Sequence, residues 1–370
     1  MKPRLVMFFP YVSPKAMEAV ADSLRGRWIG QGPKVANFED RIRQVTGAPY
    51  VVAVNCASAA TRLALAVSGV GPGDEVITTA QTCTATNHPI LEQFARPVFA
   101  DIQYMTGNLA PADIEHRITP RTKAIICVHW GGFPCDLDEI RSIAARYNLA
   151  LIEGAEDALG ASYNGRPVGC LSYFTVFSFG AVQQVTTGEG GALCMLEERG
   201  FEAARRRRWY GIDRLRRTPN VVGYYDFEVS EVGYGYHMTD IQASMGLVHL
   251  DDLPEVLRRR GDIAKLYRHR LMNVPGVTLL NDNRPDRSSG YQLFTIHVER
   301  REDFCRMMQL KGVEVSVVHV RNDQYDVFGG LRSDLPELDH FSKSHISLPL
   351  HSNLSEEDAA YVVDCIREGW

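Results

Sequence analysis

Three groups of side chains in this 370-residue chain could take part in acid–base or nucleophilic chemistry. Glu156 and Asp157 are adjacent carboxylates, which could exchange protons with a ligand or could cap a helix that follows them. His129 ends a β-rich run and could act as an acid or a base. Cys83 could be a nucleophile, but no histidine adjoins it in the sequence, and this favours a buried thiol instead.

Four further polar residues allow both a binding and a structural interpretation. Gln183 and Gln184 follow an apolar run and could hydrogen-bond to the wall of a pocket, which we favour over a catalytic role. His319 and Arg321 could contact a substrate or face the solvent. The eight cysteines show no paired spacing typical of a metal site, and we expect reduced core thiols.

The elements expected to position these side chains follow an α/β pattern. Between about residues 37 and 245, short apolar β-rich runs alternate with helical patterns. This alternation predicts a mostly parallel sheet that is covered by helices on both faces. The predicted strands cover residues 51–54, 75–79, 97–100, 124–128, 149–153, 174–177 and 191–195.

The chain is predicted to form two domains. Residues 1–250 hold an N-terminal arm and the large domain, and residues 251–370 form a smaller C-terminal domain. The boundary is placed at a break suggested by the Asp-Asp-Leu-Pro sequence at 251–254, beyond which a helix is predicted over 256–272. Further strands are predicted near 291–298 and 313–318.

The charge balance argues against nucleic acid or an anionic membrane as a partner. Lysine and arginine number 40 against 45 acidic residues, a net charge of −5. No apolar run approaches the ~18 residues of a membrane span, and the N-terminus lacks a signal-peptide profile. We therefore expect a soluble, cytoplasmic protein.

The stretch 177–191 resembles a signature of the DegT-type (DegT/DnrJ/StrS) sugar aminotransferases. That signature has Ser-Phe, three residues, lysine, four residues and Gly-Glu-Gly-Gly, and the chain keeps all of it except the lysine. Other segments agree with the family in the same order, so that the resemblance covers nearly the whole chain: 30–39, 55–60, 82–87, 129–136, 209–214, 236–243 and 319–323. The resemblance implies a fold-type I α/β fold, with a seven-stranded, mostly parallel sheet between helices and a smaller C-terminal α/β domain.

At the lysine position of this signature the chain has Gln183. In the family the lysine amine forms a Schiff base with pyridoxal 5'-phosphate (PLP) and later shuttles a proton. An amide nitrogen can do neither, because its lone pair is delocalised. We expect no relocated lysine, since the seven lysines stand at positions 2, 15, 34, 123, 265, 311 and 343, and only Lys34, on the N-terminal arm, is a candidate.

Two other positions depart from the family pattern. At Gly154 the family has an aspartate that keeps the pyridine nitrogen of the cofactor protonated, and strand alternation argues against Glu156 or Asp157 as its replacement. At Gly235 the family has a side chain that reaches the cofactor phosphate of the neighbouring subunit.

The resemblance also implies the members of each site. The former cofactor pocket would comprise Ala57, Ser58, Cys83, Gly154, Asp157, Ser178, Gln183 and Gly235. Substrate-binding residues would be Trp130, Gln184, His237, His319 and Arg321, and the catalytic candidates are Gln183 and His129.

Three functions remain open from the sequence. The first is a repurposed enzyme of sugar-nucleotide, aminocyclitol or secondary-metabolite biosynthesis that does not run ordinary PLP transamination. The second is a non-catalytic companion or regulatory subunit of an active aminotransferase. The third is a ketosugar dehydratase or aminotransferase that uses pyridoxamine phosphate. In each case PLP or pyridoxamine phosphate could bind only non-covalently, and we expect a homodimer, or a heterodimer with an active homologue.

Overall fold

The computed structural model describes residues 5–370, and the lysine at position 2 lies outside this range. A sheet of seven strands forms the centre of the fold, in the order β1-β7-β6-β5-β4-β2-β3. Only β7 runs antiparallel to its neighbours, which confirms the prediction of a mostly parallel sheet. The strands are β1 (Tyr50–Val54), β2 (Glu75–Thr79), β3 (Arg96–Ala100), β4 (Thr122–Val128), β5 (Ala150–Gly154), β6 (Phe174–Ser178) and β7 (Gly191–Met195).

Both faces of this sheet are buried. In β4, Ile125 and Cys127 belong to the hydrophobic cluster on one face, while Ala124 and Ile126 belong to the cluster on the other. Continuous apolar runs are needed for such strands, because side chains that point in either direction meet a layer of helices. This double burial explains why the sequence pattern located all seven strands.

The described part of the chain contains eleven α-helices. They are α1 (Ala16–Arg25), α2 (Pro33–Thr46), α3 (Ala57–Val67), α4 (Thr84–Glu92), α5 (Pro111–His116), α6 (Leu137–Arg146), α7 (Glu198–Arg208), α8 (Asp240–Leu271), α9 (Arg301–Leu310), α10 (Pro336–Ser344) and α11 (Glu356–Arg367). None of the helices over residues 5–370 is long and apolar enough to cross a membrane.

A second, antiparallel sheet lies in the C-terminal part of the chain. Its order is β8-β9-β10, formed by β8 (Val277–Leu279), β9 (Phe294–Val298) and β10 (His345–Leu348). The strand predicted near 313–318 is absent, because this segment makes only single bridges, Leu5 to Val313 and Ser316 to Ser347. Two-residue strands complete the structure: Ser162–Tyr163, Arg166–Pro167, Thr218–Pro219, Tyr225–Asp226 and Arg287–Ser288.

The break predicted at 251–254 is also absent, because α8 continues through Pro254 to Leu271. Proline removes one backbone hydrogen bond from a helix interior. Leu253 and Val256 on either side are buried, and this packing stabilises the helix across the proline. The helix begins at a capping box, in which Thr239 and Gln242 bond each other's backbone N–H groups. The division into domains at residue 250 stays a prediction.

Candidate active site

A cavity of about 160 Å³ opens where β1, β2, β4, β5 and β6 end. Carboxyl ends of parallel strands meet at one edge of a sheet, and this is where ligands bind in open α/β folds. The walls come from the segments that follow these five strands and from His319, and the lining residues are Ala57, Ser58, Thr82, Cys83, Ala85, Thr86, Val128, His129, Trp130, Glu156, Asp157, Ser178, Gln183 and His319.

The cavity brings together most of the site residues expected from the sequence. Nine of them line it, namely Ala57, Ser58, Cys83, His129, Trp130, Asp157, Ser178, Gln183 and His319. Five others do not line it, namely Gly154, Gln184, Gly235, His237 and Arg321. Glu156, which the sequence had placed only in an acid–base or capping role, also lines the cavity.

Gln183 lies in the turn after β6, with its amide inside the cavity. Its Nε2 donates to Asp157 Oδ1 over 3.3 Å, and its Oε1 is buried without a hydrogen-bond partner among the described residues. Such an orphaned acceptor is uncommon in a folded protein. The position therefore suits a ligand that brings its own donor.

The neighbouring Gln184 holds the same turn in place. It is buried, and its Nε2 donates to the backbone oxygens of Gly290 and Asp157. Gln292 binds the turn as well, because its Nε2 donates to Val182 O over 2.9 Å. These contacts confirm that Gln184 hydrogen-bonds to the protein around the pocket, but they leave its side chain outside the cavity.

Glu156 and Asp157 are the two carboxyl groups of the cavity. Burial raises the pKa of Glu156 to about 7, and the charge of Asp157 acts in the same direction. Burial also raises the pKa of Asp157 to about 6, although the hydrogen bond from Gln183 and the charge of Arg260 oppose this change. The helix-capping interpretation is wrong, since the chain forms turns and no helix between Gly154 and Ser162.

The Glu156 carboxylate occupies the space beside Gly154. A Cβ atom built on Gly154 would lie 3.0 Å from Glu156 Oε2 and 3.2 Å from Val128 Cγ2. Strand alternation had argued against such a position, but β5 ends at Gly154 and the chain then turns. This turn brings the side chain two residues later back over the glycine.

His129 is buried and uses both ring nitrogens within the protein. Its Nδ1 lies 3.1 Å from the backbone N–H of Cys135, which donates to it, so Nε2 carries the hydrogen and donates to Glu153 Oε2 over 3.0 Å. Burial lowers the pKa of this ring and the side chains of Cys135 and Glu153 raise it, to about 10 in all. The backbone N–H of Cys135 nevertheless points at Nδ1 and leaves no place for a second proton, so the two bonds hold a neutral ring in one orientation. They favour a structural role for His129 over the catalytic one.

Cys83 is exposed in the cavity wall, directly before α4, so the prediction of a buried thiol is wrong at this position. The first turn of α3 supplies Ser58, whose Oγ donates to Ala85 O over 3.1 Å. Ser178 Oγ accepts from the backbone N–H of Gly180. Together with the N-terminus of α3, which begins at Ala57, these hydroxyls form a wall that suits an anion.

Two expected substrate-binding residues have other partners. Arg321 forms ion pairs with Asp323 and Asp339, which use its guanidinium away from the cavity. The His237 ring stacks on Trp209, with centroids 4.3 Å apart. Only His319 of this group, together with Trp130, lines the cavity, and burial lowers the pKa of His319 to about 4, so its ring is neutral.

Gly235 leaves room for a tyrosine ring and offers no side chain to a ligand. A Cβ atom there would lie 2.6 Å from Tyr210 Oη, closer than real contacts allow.

No lysine of residues 5–370 lines the cavity. Lys34, the one candidate from the sequence, donates from Nζ to Ser23 Oγ over 2.8 Å and to Ala19 O over 3.1 Å. Lys123 is exposed near the start of β4, at the end of the strand that is far from the cavity.

Comparisons with known proteins agree with this fold. A model of the DegT/DnrJ/EryC1/StrS aminotransferase family matches residues 10–367. The spore coat polysaccharide biosynthesis protein SpsC of Bacillus subtilis is 34% identical over 381 residues, which cover 98% of this chain and 97% of SpsC. The UDP-4-amino-4-deoxy-L-arabinose–oxoglutarate aminotransferase of Shewanella sediminis is 34% identical over 384 residues, 97% of this chain and 96% of that protein. The crystal structure of the sugar aminotransferase CalS13 from Micromonospora echinospora superposes with a TM-score of 0.94 at 33% identity, covering 99% and 100% of the two chains.

Proposed function

Because this chain belongs to the DegT/DnrJ/EryC1/StrS aminotransferase family, we propose that it is a repurposed sugar-biosynthesis enzyme that does not use a lysine-bound cofactor. The observation that carries this proposal is the Gln183 amide, which lies in the cavity and donates to Asp157. An amide has no basic lone pair, so residue 183 can neither attack an aldehyde nor accept a proton. No described lysine lines the cavity to replace it.

The residues present fit a pyridoxal-type cofactor only when it is held non-covalently. The N-terminus of α3 with Ser58 suits a phosphate group, and the Glu156 carboxyl suits a ring nitrogen. When bound, such a cofactor would supply an electron sink for carbanion chemistry. The chain itself would hold the two ends of the group and exclude water between them.

Proton transfer in this cavity would fall to its two carboxyl groups. Burial brings the pKa of Glu156 to about 7 and that of Asp157 to about 6. Groups that change protonation near the working pH are the effective general acids and bases. Gln183 would orient Asp157 through its 3.3 Å hydrogen bond, while His129 stays neutral and fixed.

The substrate we propose is a sugar nucleotide or a cyclitol. A cavity of about 160 Å³ is smaller than the roughly 300–1,000 Å³ of pockets that enclose a whole drug-sized ligand. A single ring fits such a space, and a nucleotide would extend from its mouth. The names of two relatives, a UDP-4-amino-4-deoxy-L-arabinose–oxoglutarate aminotransferase and a spore coat polysaccharide biosynthesis protein, support a substrate of this class.

A homodimer is the proposed assembly. Between α7 and α8 the chain exposes a series of large apolar side chains: Leu215, Val221, Val222, Tyr224, Val229 and Val232. Each is more than half exposed, and such a concentration of exposed apolar side chains in one segment favours a protein–protein contact there. A heterodimer with a lysine-bearing homologue is the alternative, and co-purification of such a homologue would favour the companion-subunit function.

A second candidate function has one observation in its favour. The Glu156 carboxylate beside Gly154 could serve a ring nitrogen, which keeps open an enzyme that uses non-covalent pyridoxamine phosphate. Native mass spectrometry of the purified protein distinguishes the candidates, because it reports any ligand that survives purification. We expect no covalently attached cofactor, and turnover of an amino donor and a ketosugar by lysine-linked PLP would overturn the proposal.

A further inference from the structure

We propose that Glu156 is the residue through which this cavity binds the protonated ring nitrogen of pyridoxamine 5'-phosphate, and that Gln183 accepts from the amine of the same molecule. This inference rests on the proposed function, because it takes the lysine-free cavity as a ligand site. It assigns to Glu156 a binding role that its place in the sequence, two residues beyond the end of β5, does not suggest.

The Glu156 carboxylate lies beside the place where a side chain of residue 154 would begin. Glu156 Oε2 lies 3.0 Å from the point where a Cβ of residue 154 would stand. The backbone on both sides is held in place, since Ala155 N–H donates to Val176 O over 2.9 Å and His129 N–H donates to Gly154 O over 3.0 Å. A Cβ at 154 would therefore require the Glu156 carboxylate to move by a few tenths of an ångström from its present position.

The charged groups around the Glu156 carboxyl also favour a cationic ligand. The charged groups that act on the Glu156 carboxyl are Asp157, which opposes its ionisation, and His129. His129 is neutral, because its Nδ1 accepts a backbone N–H and its Nε2 donates to Glu153. The groups of the described chain that act on the Glu156 carboxyl include no arginine or lysine, and a protonated nitrogen of a ligand would supply a cation.

The side-chain oxygen of Gln183 has no hydrogen-bond partner in the described chain. The Nε2 of this amide donates to Asp157, and its Oε1 is a buried acceptor without a partner in the described chain, on a residue that lines the cavity. Leaving such an atom unpaired costs roughly 1–3 kcal/mol. An amine donor would satisfy it, whereas an aldehyde oxygen would not.

These requirements define the ligand. It carries an amine for Gln183 Oε1, a protonated nitrogen for Glu156 and an anionic group for the wall formed by Ser58 and the N-terminus of α3. Pyridoxamine 5'-phosphate has all three groups on one small aromatic ring. Pyridoxal 5'-phosphate has an aldehyde in place of the amine, so the cavity should prefer the amine form.

The test is equilibrium binding of pyridoxamine 5'-phosphate to the full chain and its variants. Glu156→Gln keeps the side-chain shape but removes the charge, and we expect it to weaken binding by about tenfold or more. Gly154→Asp alone should weaken binding as well, because two carboxyls then compete for one space. The double variant Gly154→Asp with Glu156→Ala should restore binding, and Glu357→Gln, an exposed position, is the matched control.

The absorbance of the bound ring supplies a second readout that a merely structural role would not change. Its band position reports protonation of the ring nitrogen, which should persist to higher pH on the wild-type protein than on Glu156→Gln. The inference is overturned if the wild type does not bind the ligand, or if Glu156→Gln binds it equally with the same ring protonation. Either result leaves the proposed function standing, because that claim fails only when a lysine of the chain forms a covalent bond to the cofactor.

Discussion

Replacement of Glu156 by glutamine should change how the stability of the fold depends on pH. Burial raises the pKa of this carboxyl from an ordinary 4.5 to about 7. The folded protein therefore holds the proton over a pH range in which the unfolded chain has released it. The contribution of Glu156 to the free energy of unfolding should be fully present below about pH 4.5 and should be lost as the pH rises to about 7.

The size of the effect follows from the shift. One pKa unit corresponds to about 1.4 kcal/mol, so the rise from 4.5 to about 7 corresponds to about 3 kcal/mol. This is an upper limit, because the carboxyl faces an open cavity in which water screens its charge. The glutamine variant has no such proton, so its advantage over the wild type should grow towards this value between about pH 5 and pH 8.

Urea unfolding at several pH values measures this difference directly. Glu357→Gln is the matched control, since Glu357 is exposed and its replacement should change stability little and by the same amount at every pH. The reasoning would be refuted if the Glu156→Gln advantage were constant over this pH range. It would also be refuted if the variant were the less stable protein at about pH 8.

Three further substitutions test other parts of the account. Gln183→Lys places an amine beside the Asp157 carboxylate, 3.3 Å from the present amide, and we expect an ion pair and no recovery of transamination in an amino-donor assay. Gln292→Ala removes the acceptor that holds the buried Arg260 guanidinium at 2.5 Å, and should lower the free energy of unfolding in urea by about 1.5–3 kcal/mol. Val222→Asp places a charge on the proposed dimer surface and should shift the protein towards a monomer in sedimentation velocity.

Two of these substitutions have a matched control variant, and each of the three has a result that would contradict the expectation. Transamination by Gln183→Lys alone would show that the lysine is the only missing group. Gln309→Ala, on the exposed side of α9, should leave the free energy of unfolding nearly unchanged. If it lowered this free energy as much as Gln292→Ala does, the hydrogen bond from Arg260 to Gln292 would not explain the loss. Leu310→Asp is the exposed control for Val222→Asp, and a wild-type protein that is already monomeric would contradict the proposed dimer.

Much of the large sheet could be predicted from the sequence, because its strands are buried on both faces and therefore read as continuous apolar runs. The same rule failed at 313–318, where Val313 is buried but the chain pairs only at single bridges. The break expected near Pro254 failed for another reason. Tertiary packing of Leu253 and Val256 decides the conformation there, and a local pattern does not report it.

The site could be predicted in part. Ser178, which ends β6, and Asp157, in the turn after β5, were assigned to one pocket through the family resemblance, and the structure brings both to one cavity. The partners of Arg321 were missed, since Asp339 lies on a different helix and no sequence spacing predicts that contact. Strand alternation and the turn geometry argued against Glu156 as a substitute for a carboxylate at 154, but the turn after Gly154 brings its Oε2 to 3.0 Å from the Cβ position of that residue.

Borohydride reduction of the protein with bound PLP, followed by peptide mapping, tests the central claim most directly. Reduction converts a lysine-linked cofactor into a stable adduct whose position can be read by mass spectrometry. With Gln183 in the cavity and no described lysine in its wall, we predict no stoichiometric adduct at any single lysine. A single, fully occupied adduct, at Lys34 or elsewhere, would contradict the account.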